Sequence, residues 1–120
     1  MVIIFSRVKD KEAANNQQKL DTMFRGNPLR AKLVRKRLDD LMDVSCLNDM
    51  WTEPQAAFES LKGNLRGCYS VRLDAGHRIV FKPYHDPIPS KADGGIDLEQ
   101  VTTIQIIHLA EDYHARKSRK

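Results

Sequence analysis

The sequence predicts a single domain of mixed α and β structure, and three stretches predict it. Leu61–Lys82 alternates like a β-hairpin. Pro28 to about Asp43 repeats like an amphipathic helix. Val101–Leu109 is rich in Ile and Thr and apolar on both faces, as a strand inside a sheet would be. At 120 residues the chain has the length for one modest core.

Taken in order, Val2–Phe5 is a short apolar run and reads as a strand. Lys9–Phe24 is polar but helix-compatible, with Ala13, Ala14, Leu20 and Met23 as its inner residues. Gly26-Asn27-Pro28 breaks the chain, and Pro28 suits the first turn of a second helix with Asn27 as its N-cap. Leu29, Leu33, Leu38, Leu41 and Met42 are expected on its apolar face. Its cations (Arg30, Lys32, Arg35, Lys36, Arg37) are expected on a solvated face. Val44–Glu53 is irregular, with Trp51 covering an edge of the core, and Pro54–Phe58 allows a helical turn.

In the hairpin, Tyr69, Val71 and Leu73 alternate with Ser70, Arg72 and Asp74, and a second strand begins at His77. A three-residue loop Asp74-Ala75-Gly76, with Gly76 left-handed, pairs Leu73 with His77, Arg72 with Arg78, Val71 with Ile79 and Tyr69 with Phe81. One face is then apolar and aromatic, and the other carries two guanidinium groups. Like charges directly opposite cost about 0.2–1 kcal/mol, which a bound anion would offset. Arg72 and Arg78 are therefore candidate phosphate ligands, the alternative being a carboxylate partner for each on a neighbouring element. The stretch from Lys62 to Lys82 holds Lys62, Arg66, Arg72, Arg78 and Lys82 against one acid, Asp74.

The net charge of +4 and a pI near 9.2 point to a polyanionic partner. From Arg25 to Leu38 there are six basic residues and no acid. Cys46 and Cys68 form no CxxC. With no signal peptide and no long apolar run, a reduced, cytoplasmic setting and no membrane association are expected. His77, His85, His108 and His114 have no metal-binding spacing, so neither metal nor cofactor is expected. Pro83, Pro87, Pro89, Gly94 and Gly95 mark Lys82–Asp97 as a long loop of the kind that carries function. The basic tail, 115–120, reads as disordered, but Asp112-Tyr113-His114 before it can exchange or orient protons.

Four motifs, in this order, resemble the RelE/ParE superfamily of bacterial toxins, and most closely its HigB-like branch. They are Leu61-Lys62-Gly63, Gly67-Cys68-Tyr69-Ser70-Val71-Arg72, His77-Arg78-Ile79-Val80-Phe81 and Asp112-Tyr113-His114. The resemblance implies a small α+β fold, with two N-terminal helices packed on a twisted, mainly antiparallel sheet of about four strands. It also implies the toxin of a type II toxin–antitoxin system, held inactive by a cognate helix-turn-helix antitoxin and meeting operator DNA only through that complex. Its activity would be cleavage of mRNA on the ribosome. The superfamily's site positions fall on Lys62, Arg72, Arg78, Asp112, Tyr113 and His114. Three features depart from the pattern. Glu59 stands where HigB members often carry His, His77 stands where an aromatic residue is common, and the Pro83–Asp97 loop is long.

RNA can be cut without metal when its own 2′-hydroxyl attacks the adjacent phosphorus. In that chemistry Arg72 and Arg78 clamp the phosphate, with Lys62, Arg66 and Lys82 as further RNA-binding cations. His114 transfers protons, Tyr113 orients or stacks on the RNA, and Asp112 fixes the histidine or buttresses an arginine. Glu59, beside several cations, would be a weak base. A toxin of the ParE type, which binds DNA gyrase without catalysis, and an inactive relative are the competing functions.

Overall fold

The computed structural model describes residues 1–74 and 76–112, with Glu111 and Asp112 described by their backbone alone. The chain runs β1 (Val2–Phe5), α1 (Val8–Asn15), α2 (Gln17–Met23), α3 (Pro28–Asp43), β2 (Glu59–Ser60), β3 (Tyr69–Asp74), β4 (His77–Pro83) and β5 (Thr103–Asp112), with short 3₁₀ turns between α3 and β2 and before β5. It is an α+β fold around one sheet of order β1-β5-β4-β3-β2. β1 runs parallel to β5, and the other neighbours are antiparallel. The sheet has five strands rather than about four, because Glu59 and Ser60 pair with Ser70 and Tyr69. Two residues are too few to show alternation in a sequence.

Three helices stand where two were expected. Lys9–Phe24 is split at Asn16, whose backbone is extended (φ −144°, ψ 112°) and whose Oδ1 accepts the Lys19 amide at 3.0 Å. An Asn side chain competes for backbone donors better than it extends a helix, so it ends α1 and caps α2. α3 begins as expected: Asn27 accepts the Arg30 amide at 3.0 Å and Pro28 occupies the first turn. Its core stripe differs, being Ala31, Val34, Leu38 and Leu41, spaced three, four and three. Leu29 lies roughly 160° around the helix from Ala31 and is 63% exposed. Leu33 is half-buried and Met42, at the helix end, is exposed.

The core lies between these helices and one face of the sheet. Phe81, Ile79, Val71, Ile104, Ile106 and Leu109 are fully buried against Val34, Leu38 and Leu41. Phe58 stacks on Tyr69 at 5.5 Å, and Trp51 meets its ring edge-on at 4.5 Å, which places Trp51 over the edge of this cluster.

The solvated-face expectation fails at Arg37, which is 5% exposed. Its Nε donates to the Arg72 carbonyl at 2.8 Å and its Nη2 to the Gln55 carbonyl at 3.0 Å. Its Nη1 meets the Asp40 carboxylate at 3.2 Å. A buried guanidinium is tolerated only when its donors are met in this way. Arg37→Ala is expected to lower stability by about 2–4 kcal/mol, read as a shift of the urea midpoint, because it strands the Arg72 and Gln55 carbonyls and leaves Asp40 with Lys36 alone of its two cations.

The hairpin tip also differs. Tyr69–Phe81, Val71–Ile79 and Arg72–Arg78 pair as expected, but the register shifts after Arg72 and Asp74, not Leu73, stands opposite His77. Leu73 is 4% exposed, so core packing holds it in a bulge. Gly76's expected left-handed backbone depends on Ala75, outside the described residues. Asp74 gathers the tip: Arg30 Nε at 2.9 Å, the Gly76 amide at 3.0 Å and His77 Nδ1 at 3.2 Å. Burial raises its carboxyl, but the hydrogen bonds from Arg30, Gly76 and His77 outweigh it, so the group titrates below the usual aspartate range. A depressed carboxyl contributes stability above the unfolded value, near pH 3.9, and loses it as pH falls through the lower folded value. Asp74→Asn is therefore expected to cost about 1 kcal/mol at pH 7. Urea titrations should show the gap to wild type narrowing below about pH 4.

Candidate nucleic-acid interface

The sheet face away from the helices is built from the residues that alternate with the core. Arg72 and Arg78 stand directly opposite each other on β3 and β4. Val80 and Lys82 follow along β4, and Glu59 and Ser70 pair across β2 and β3. Arg72 is exposed, whereas the Arg78 side chain is only 11% exposed.

Arg78 is held in place. Its Nε donates to Ser70 Oγ at 2.6 Å, and Ser70 is fully buried. Its Nη2 donates to the Ala57 carbonyl, and its Nε lies 3.6 Å from Glu59 Oε1. Ala57 is the one non-glycine residue of left-handed backbone among those described, with φ 45°. This unfavourable conformation turns its carbonyl to the guanidinium. Arg78 thus has the neighbouring-element carboxylate weighed from the sequence, supplied by Glu59. The carboxylate that replaces the expected histidine does reach the arginine.

Lys62 and Arg66 are exposed on the turn between β2 and β3. That turn needs glycine twice, at Gly63 (φ 67°) and Gly67 (φ 88°). It lies at the sheet end where Ser60, Tyr69 and Phe81 meet, away from the hairpin tip. Lys82 is at this same end: burial pushes the Cys68 thiol up, against the opposing pull of the Lys82 ammonium. The structure therefore brings Arg72 and Arg78 together. Lys82 joins them along one strand, four residues or about 13 Å further. Lys62 and Arg66 belong with Lys82.

At the other end, β5 continues to Asp112, whose backbone stands opposite His77, while Glu111 stands opposite Arg78. Tyr113, His114 and the tail 115–120 lie outside the described residues. Two residues on this side escaped the sequence reading. His108 stands opposite Val80, and its Nδ1 is 3.1 Å from Arg7 Nη2. Arginine can only donate, so this Nδ1 accepts and the neutral ring carries its proton on Nε2. A histidine inside the apolar run Ile107-His108-Leu109 was the available signal. Among the described residues no three His, Cys, Asp or Glu side chains converge as metal ligands, and no helix is long and apolar enough to cross a membrane.

The Pro83–Asp97 loop is not featureless. His85 Nε2 accepts the amides of Thr102 and Thr103 at 3.1 and 3.3 Å, and Ser90 bridges to Ile96. The Asp97 amide closes the excursion on the Pro89 carbonyl at 2.9 Å.

No protein-family model and no curated protein matches this sequence. Among solved structures, the chain is similar to a YoeB–YefM complex from Staphylococcus aureus, with 22% identity and a TM-score of 0.49 over 90% of this chain and 92% of that one. It is also similar to a YoeB/ParE toxin from Agrobacterium tumefaciens, with 15% identity and a TM-score of 0.45 over 93% and 98%. A YoeB dimer from Staphylococcus aureus gives 21% identity and a TM-score of 0.45 over 94% and 98%.

Proposed function

We propose that this chain is the toxin of a type II toxin–antitoxin system, a metal-independent endoribonuclease that cuts mRNA on the ribosome. The observation that carries the reading is the in-register pair Arg72–Arg78 on the sheet face, with Arg78 held by Ser70, Ala57 and Glu59. A like-charged pair standing opposite favours an anion beside it, and a guanidinium fork matches phosphate oxygens.

The reaction is an in-line transfer. The 2′-oxygen bonds to phosphorus as the 5′-oxygen leaves, giving a 2′,3′-cyclic phosphate and a 5′-hydroxyl. Arg72 and Arg78 stabilise the charge that grows on the phosphoryl oxygens, a contribution of about 10²–10³-fold for each well-aimed donor. His114 transfers a proton at the 2′- or 5′-oxygen, for about 10²–10⁴-fold. Tyr113 orients the RNA, and Asp112, carried to His77 by β5, positions the histidine or an arginine. Glu59 lies beside Arg78 and can accept the 2′ proton if His114 serves as the acid. Lys62, Arg66 and Lys82 hold the strand on one side, at the end of the sheet away from the hairpin tip. In this reading a helix-turn-helix antitoxin keeps the protein inactive in the cytoplasm, and operator DNA is met through that complex.

The engagement of Arg78 by Ser70, Ala57 and Glu59 favours one alternative. There the arginine is a strut, and the chain acts as a ParE-type protein binder on DNA gyrase or is an inactive relative. Induced expression in a bacterium, with primer extension on an abundant mRNA, separates the readings. Wild type is expected to give cuts within the translated frame. Arg72→Ala, an exposed change that spares the fold, and His114→Ala should each reduce them at least ~100-fold. Growth arrest with intact mRNA would sink the nuclease in favour of the binder, and neither arrest nor cuts would leave the inactive relative.

A further inference from the structure

The outer face of β4 takes every second residue: Arg78, Val80, Lys82. The antiparallel pairing runs one residue past the strand, since the Tyr84 amide donates to the Thr103 carbonyl at 2.9 Å. Burial keeps the alternation, with Phe81 and Pro83 buried and Lys82 and Tyr84 exposed. Tyr84 is therefore the next side chain on the cationic face, about 6.8 Å beyond Lys82.

Lys82, Pro83, Tyr84, His85, Asp86 and Ile88 line a recess of about 420 Å³. Tyr84 is 53% exposed there and Ile88 43%. The recess is preformed, because His85 is tied to Thr102 and Thr103 at the start of β5 and the loop closes on itself between Pro89 and Asp97. An exposed aromatic ring, an aliphatic side chain and an ammonium group thus share one hollow at the end of a row of cations. A nucleotide of a single strand presents the complementary parts, a planar base and an anionic phosphate. Asp86 would repel a phosphate but can accept from the N–H groups of a base edge.

We propose that this recess is a nucleotide subsite for single-stranded RNA. The base stacks on Tyr84 against Ile88, and Lys82 holds the neighbouring phosphate, on the same strand whose reacting phosphate lies at Arg72 and Arg78. The inference rests on the ribonuclease reading and adds to it a determinant of which base flanks the cut.

Fluorescence anisotropy of the full chain with a short labelled single-stranded RNA tests it. Tyr84→Ala is expected to weaken binding about 5- to 100-fold, while Tyr84→Phe, which keeps the ring, stays within about twofold. An RNA with an abasic residue at the stacked position should bind wild type as weakly as intact RNA binds Tyr84→Ala, and should cost that variant nothing further. Circular dichroism should be unchanged for both variants, since Tyr84 is exposed. Tyr84→Ala binding like wild type while Arg72→Ala binds weakly would overturn the subsite and leave the ribonuclease reading standing. Equal losses in Tyr84→Ala and Tyr84→Phe would overturn stacking in favour of the hydroxyl. A wild-type chain that does not bind this RNA would overturn the subsite, while the ribonuclease reading stands or falls with the primer-extension cuts.

Discussion

The buried guanidinium of Arg37 is the constraint on which the geometry of the cationic face depends. It reaches from α3 to the carbonyl of Arg72 on β3 and to the carbonyl of Gln55 in the turn before β2, with Asp40 balancing its charge. That turn then presents the Ala57 carbonyl to Arg78 on the opposite side of the sheet. Two arginines from different layers therefore grip one short segment, at residues 55 and 57. The first holds the backbone of Arg72 and the second is its cross-strand neighbour. A buried ion pair adds little net stability over an apolar filling, so its value here lies in setting one arrangement of helix, strand and turn.

What could be read from the sequence follows from which signals are local. The register of Arg72 with Arg78 was legible because alternation and a short loop allow few pairings, and a bulge at Leu73 leaves that pair untouched. The bulge itself was not legible, since it reflects a demand of the distant core for Leu73. The split at Asn16 had a local signal, two consecutive asparagines in a polar helix, which the compatible residues around it masked. The burial of Arg37 had none. Among five cations on α3 only the partners brought by β3 and the Gln55 turn distinguish it, and both are remote in sequence. His108 was hidden for the same reason, as its place opposite Val80 and beside Arg7 arises only when β5 enters the sheet.

The electrostatics of the outer face turn on Glu59. A carboxylate 3.6 Å from Arg78 Nε offsets part of the repulsion between Arg72 and Arg78, so the pair can persist without a ligand. The Glu59 side chain is 44% exposed, so solvent weakens that attraction. A phosphate entering beside Arg72 would compete with Glu59 for Arg78 while Ser70 and Ala57 kept the guanidinium aimed. Among the described residues, Ser70 and Ala57 hold Arg78 through neutral oxygens and Glu59 approaches it with a carboxylate.

The one acid within the hairpin shows how that cationic face is kept clear. Asp74 lies two residues from Arg72, so in an unbulged strand it would share the face of Arg72. The bulge moves it opposite His77, where Arg30, His77 and the Gly76 amide occupy both carboxylate oxygens. Arg30 comes from the first turn of α3, so the helix withdraws the acid from the sheet face while its third turn reaches back, through Arg37, to hold the Arg72 backbone. The same helix thus fixes the position of one cation and removes the acid that would quench it. The hairpin can then fold around a tip whose one acid is paired and still present Arg72 to solvent.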